Sequence, residues 1–212
     1  MIQNIKILLF VICFLFVKVS NAQIQTSDKI ADTTFVNLKD YSKDFVYDMK
    51  YATDDNFLKA KVYDCAECFL RLKTVEALIS ANKDFMKKGY KIKLFDCYRP
   101  LSIQKKMWEI VSNPEYVADP KKGSIHNRGG AVDISIIDAN GKEINMGTPF
   151  DFFGIQAGHN YTKLSKEVLS NRKYLKKVMT KNGFNSFDFE WWHYNLKTGL
   201  QDKVSNQKWK CD

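Results

Sequence analysis

A chain of 212 residues with a net charge of +9 is long enough for one domain with its own hydrophobic core. Hydrophobic residues make up 45% and charged residues 27%, a balance that excludes intrinsic disorder. The basic excess admits an anionic partner, an anionic cell-envelope surface or simply a solvated lysine-rich face.

The first element in chain order is a targeting signal. Lys6 precedes an apolar run, Ile7 to Val17, which is short for a bilayer span. Small residues follow at Ser20-Asn21-Ala22. Residues 1–22 therefore read as a secretory signal peptide, with residues 23–212 as one exported domain and no stable membrane insertion after cleavage. Cys13 lies within the apolar run behind Ile12, which argues against a lipoprotein cleavage site. Export also argues against nucleic acid as the partner, and the single Arg128-Gly129-Gly130 triplet is a weak signal for it.

Residues 23–34 are polar, and Phe35 to Lys61 reads as mixed strand and loop. Leu72, Val75, Leu78, Ile79, Phe85 and Met86 recur at helical spacing, and Gly89 stands where a helix C-terminal glycine belongs. Tyr90 to Asp96 alternates as a half-buried strand does. Pro100 suits the start of a further helix with Ile103, Met107, Trp108 and Val111 on its apolar face. Residues 123–130 form a loop and Ala131 to Ile137 a β-rich run. Asp138 to Gly141 signals a hairpin turn, with Ile144 on a return strand. Leu175, Val178 and Met179 mark a helix stopped by Asn182-Gly183, and Phe187 to Asn195 is a final aromatic strand. Without regular βαβ alternation, this predicts a single α+β domain with a central antiparallel sheet flanked by helices.

Four cysteines follow the signal: Cys65, Cys68, Cys97 and Cys211. An even number in an exported chain fits disulfides. Cys65-x-x-Cys68 also fits a zinc half-site, a redox pair or plain buried thiols, and spacing gives no connectivity.

The chemistry concentrates around two of the three histidines, in Ser124-Ile-His126-Asn-Arg-Gly-Gly-Ala-Val-Asp133 and Glu190-Trp-Trp-His193-Tyr194. A catalytic zinc takes three protein ligands and keeps a position open for water. His126, Asp133 and His193 meet that count, and Glu190 is the candidate base beside it. The spacings are awkward. His126 and Asp133 are an odd number of residues apart, as are Glu190 and His193, and an ideal strand turns such pairs to opposite faces. His126 must then lie on the loop, and the Glu190–His193 stretch must bend or bulge. Each residue taken singly has a plainer alternative: a histidine among aromatics is often core, whereas a buried aspartate needs a partner or metal. Trp191 and Trp192 read as core and pocket wall, and His159, after Gly158, as an exposed or rim residue that is not a ligand.

Together these segments resemble the zinc D-alanyl-D-alanine dipeptidases associated with vancomycin resistance, a group that includes D,D-carboxypeptidases and shares a fold with the hedgehog signalling domain. Tyr51 to Phe57, Asp96-Cys-Tyr-Arg-Pro100, Met146 to Phe152, and Asn171-Arg172 through Gly183-Phe184 extend the likeness to about residues 45–196. The double tryptophan favours the dipeptidase branch. The resemblance implies one zinc on His126, Asp133 and His193, with Glu190 activating water and Arg99 stabilising the oxyanion. It further implies that Asp151 receives the substrate's amino terminus and that Ser124 touches substrate, although a hydroxyl capping the loop is an equal reading for Ser124. The implied activity is hydrolysis of a small D,D-dipeptide in cell-wall turnover or glycopeptide resistance, in the periplasm. The alternatives are a D,D-carboxypeptidase acting on peptidoglycan stems and a non-catalytic cell-wall binding module. Cys97, the Cys65–Cys68 pair and residues 197–212 have no counterpart in that pattern.

Overall fold

The computed structural model describes residues 30–211. The expected signal peptide, residues 1–22, lies outside them. No helix among the described residues is long and apolar enough to cross a membrane.

The first elements are β1 (Phe35–Asn37), α1 (Leu38–Tyr41), β2 (Val46–Tyr47) and β3 (Phe69–Arg71). They lead into α2 (Leu72–Met86), β4 (Lys91–Asp96) and α3 (Leu101–Ile110). After a long loop come β5 (Ala131–Ile137), α4 (Lys166–Lys181), β6 (Phe184–Phe187) and β7 (Glu190–Leu196). Strands β1 and β3 form a small antiparallel sheet. The main sheet has the order β2-β4-β5-β7-β6 and is antiparallel except where β2 runs parallel to β4. The α+β expectation therefore holds, with one parallel edge pair.

Local chemistry accounts for most of these elements. Helix α2 buries Leu72, Val75, Leu78 and Phe85 as one face, and Gly89 follows with φ 78°, in the left-handed region. Lysines alternate with Ile92 and Leu94 along β4, which leaves one side towards solvent, whereas β5 is buried at every position. Two expectations change. The segment after the Asp138–Gly141 turn is not a strand: it makes a single bridge, Ile137 to Glu143, before the chain leaves the sheet. The final strand is a hairpin, β6 and β7, because Asp188 and Phe189 turn the chain inside the aromatic run.

The cysteines pair over long distances, Cys68 with Cys97 and Cys65 with Cys211. The second bond anchors a C-terminal strap. Trp209 stacks on Phe69 at 4.6 Å, Leu101 N–H donates to the Ser205 carbonyl, and Ser205 N–H donates to the Asn127 carbonyl. The strap also takes up Arg128, whose guanidinium donates to the Asp202 carbonyl.

Candidate metal centre and active site

Sheet register places the central carboxylates and one histidine in a row. Asp96 on β4 lies opposite Asp133 on β5, and Asp133 lies opposite His193 on β7. Cross-strand partners on neighbouring strands stand close enough for their side chains to interact. His126 reaches the same place from outside the sheet, on a single 3₁₀ turn, His126–Arg128, closed by Gly129 at φ 70°. A Cβ at Gly129 would lie 2.3 Å from the Phe35 ring, so glycine is required there by space as well as by conformation. The odd spacing between His126 and Asp133 is resolved as expected, by a loop histidine and a strand aspartate.

The second odd spacing is resolved by a bulge. Register between β6 and β7 shifts between Ser186 and Phe187, so that Phe187 pairs with Glu190 while Ser186 pairs with Tyr194. Trp191 and Trp192 are both fully buried, as core and pocket wall. Glu190 thereby turns towards His193, with Oε2 3.9 Å from Nδ1.

His126 Nε2, His193 Nδ1 and Asp133 Oδ1 form a triangle with sides of 3.2, 2.9 and 3.4 Å. Ligands about 2.0–2.1 Å from a tetrahedral zinc stand about 3.3 Å apart, so the triangle fits. The opposite nitrogen of each ring is already committed. His126 Nδ1–H donates to the Cys97 carbonyl at 2.7 Å, and His193 Nε2–H donates to Asn195 Oδ1 at 2.9 Å. Those bonds fix the tautomers so that both remaining lone pairs point into the triangle beside a carboxylate oxygen. Such an arrangement repels itself unless a cation or proton joins it. Among the described residues, these three alone form a group able to hold a metal ion. Burial disfavours charge on His193, but the Asp133 carboxylate outweighs it and lifts the imidazole to about 9.

Arg99 is buried against Tyr51, with its guanidinium carbon 5.3 Å from that ring. Its Nη2 donates to Asp96 at 2.5 Å and its Nη1 to Gln104 at 2.8 Å. Arg99 Nε and Ser124 Oγ are buried, and neither has a hydrogen-bond partner among the described residues. Buried donors without partners are uncommon, and a ligand that accepts from them is one explanation. Asp151 has φ 59°, a conformation that aspartate tolerates better than most residues. Its carboxylate accepts from Tyr51 O–H at 3.0 Å, and burial raises its pKa well above the carboxylate range. Burial raises the Glu190 pKa as well, against the opposing pull of His193.

His159 departs from expectation: it is half-buried facing Tyr194, and desolvation lowers its pKa to about 4. It is not part of the ligand triangle. Asp96 has a role at the site that its sequence motif does not show. This fully buried carboxylate holds Arg99, accepts from Tyr63 O–H at 2.6 Å and from Cys97 N–H at 2.9 Å, and stands 3.6 Å from His126 Nδ1. Asn195 was missed too, although its place two residues beyond His193 on one strand face was a readable signal.

Two imidazoles and a carboxylate with an unattached carboxylate alongside define the class: a mononuclear zinc hydrolase. The chain belongs to the peptidase M15 family, whose D-ala-D-ala dipeptidase profile matches residues 31–210. Peptidases of this family are zinc-dependent, in keeping with the donor set. The D-alanyl-D-alanine dipeptidase of Escherichia coli (strain K12) is 30% identical over 183 residues, covering 86% of this chain and 95% of that one. The dipeptidase of the same name from Enterococcus faecium is 29% identical, over 71% of this chain and 85% of its own. Among solved structures, the chain is similar to the LdcB LD-carboxypeptidase at a TM-score of 0.41 and 21% identity, covering 66% of this chain and 61% of that one.

If His193 is a ligand, His193→Ala abolishes stoichiometric zinc and lowers the melting temperature of protein purified with zinc, because metal binding energy is also folding energy. Metal analysis and a thermal melt check this together. An unchanged Tm with full zinc content would remove His193 from the ligand set.

Proposed function

We propose that the chain hydrolyses D-alanyl-D-alanine to two D-alanines, with zinc held by His126, Asp133 and His193. The observation that carries this reading is the triangle of fixed lone pairs with Glu190 beside it. Zinc, when bound, supplies Lewis acidity, polarising a carbonyl and making water easier to deprotonate. Glu190 takes the proton from water and later gives it to the leaving amine, which a carboxylate close to the metal but not on it can do. Arg99 donates hydrogen bonds to the oxyanion as it forms, from a guanidinium already oriented by Asp96 and Gln104. Ser124 offers a further donor to the substrate.

Asp151 receives the substrate ammonium. Pairing with a cation offsets the desolvation that raises the pKa of its carboxyl, so a free amino terminus is favoured over a blocked one. This separates the dipeptidase from the second reading, a D,D-carboxypeptidase on peptidoglycan stems, whose scissile residue carries no free amine. Residues 1–22 direct the chain to the far side of the cytoplasmic membrane, and it is there that peptidoglycan fragments and oxidising conditions for the two disulfides both occur.

The deciding measurement is D-alanine release from D-alanyl-D-alanine by purified residues 23–212. Release is expected to stop with chelator, return with zinc and fall sharply when the substrate amine is acetylated. Hydrolysis of the acetylated substrate at an undiminished rate would favour the carboxypeptidase.

A further inference from the structure

Helix α4 buries a charge. Arg172 is only 4% exposed. Among the described residues, its hydrogen bonds all go to neutral oxygens of one loop, residues 146–158. Its Nε donates to the Met146 carbonyl at 2.7 Å, at one end of that loop. Its Nη1 donates to the carbonyls of Gln156 at 2.9 Å and Gly158 at 3.2 Å, at the other end. Beside it, the Asn171 side-chain amide donates to the Asn145 carbonyl at 2.9 Å. Gly147 lets the loop approach the helix, since a Cβ there would stand 2.7 Å from Val168 Cγ1. A buried guanidinium is costly unless its donors are used, and a buried carbonyl is costly without a donor. Both needs are met only while the two loop ends stay where they are.

Asp151 stands between those ends. Its φ of 59° lies in the left-handed region, which an aspartate keeps only where its surroundings hold it. Among the described residues, Tyr51 is the one side chain that donates to its carboxylate. That contact does not fix the backbone; the anchored loop does. We infer that Arg172 is a positioning residue for Asp151: it clasps both ends of the loop and so holds the carboxylate where it meets the substrate ammonium. This rests on the role proposed above for Asp151. The metal triangle is built on other elements, the 3₁₀ turn, β5 and β7. The clasp therefore serves recognition of the amine rather than chemistry at the metal. A role in overall stability alone would weaken every ligand alike, whereas a displaced Asp151 weakens only ligands with a free amine.

The test is calorimetry on the zinc-loaded protein with two phosphinate analogues of D-alanyl-D-alanine, one with a free amine and one acetylated. Binding needs no turnover. The native protein is expected to favour the free amine by about tenfold or more, the worth of a charge-assisted hydrogen bond. Arg172→Met leaves the loop carbonyls bare and puts the fold at risk, so the deciding variant is Arg172→Lys. Lysine keeps the charge and the stem, but one ammonium does not span both loop ends as the guanidinium fork does. The expected result is full zinc content, unchanged affinity for the acetylated analogue and a free-amine preference reduced at least several-fold. A preference that survives in Arg172→Lys, or affinities for both analogues that fall together, overturns the clasp. A native protein with no preference ends the role of Asp151 and the clasp with it, whereas a failure confined to the variant ends the clasp alone.

Discussion

Glu190→Gln is expected to lower kcat by about 10²–10⁴-fold while the protein keeps its zinc. Glutamine preserves the volume and the bulged backbone but cannot take a proton. Because Glu190 stands 3.9 Å from His193 Nδ1, outside the donor triangle, its loss should leave the three ligands in place. Metal analysis and initial rates on the same preparation check both halves. Zinc lost with activity would make Glu190 a fourth ligand, and activity retained within tenfold would give the proton transfer to another group.

The second large effect concerns a residue that touches no substrate. Asp96→Asn should destabilise the fold by about 3–5 kcal/mol, the range seen when one partner of a buried ion pair is removed. For a chain of this length that is a drop in Tm on the order of 10 °C. Asp96 is fully buried, and its carboxylate accepts from Arg99, Tyr63 and the Cys97 backbone. The other side-chain partner of Arg99 is Gln104, which is neutral, so the substitution leaves a buried guanidinium without a hydrogen-bonded carboxylate. Thermal melts of both proteins at saturating zinc isolate this from metal loss. An unchanged Tm would mean that Arg99 finds solvent or another acceptor.

How much of this was legible in the sequence varies with the kind of interaction. Helix α2 and strands β4 and β5 could be read because a single periodicity governs each. The two irregularities at the site could be read as well, since odd spacing between residues that must meet demands a loop for His126 and a bulge at Glu190. The β6–β7 hairpin was not, because Phe187 and Phe189 continue the aromatic pattern straight through the turn. The role of Asp96 was not legible, since nothing local to it shows that Tyr63 and Arg99 converge on its carboxylate. The cysteine connectivity could not be read, because spacing in the chain does not say which thiols meet: Cys65 and Cys68 are near neighbours, yet each bonds a distant partner. The Cys68–Cys97 bond fixes the backbone whose carbonyl orients His126, a link that only three dimensions reveal.

The row formed by Asp96, Asp133 and His193 also sets which mutations this gene can accumulate. Side chains alternate faces along a strand, so deleting or inserting one residue within β4, β5 or β7 would turn that strand's contribution to the opposite side of the sheet. Substitutions can drift through these strands as long as volume is kept, but changes of length cannot. Length variation among descendants of this sequence should therefore collect in the connections, such as residues 111–123 between α3 and the His126 turn, and spare the three strands that carry the row.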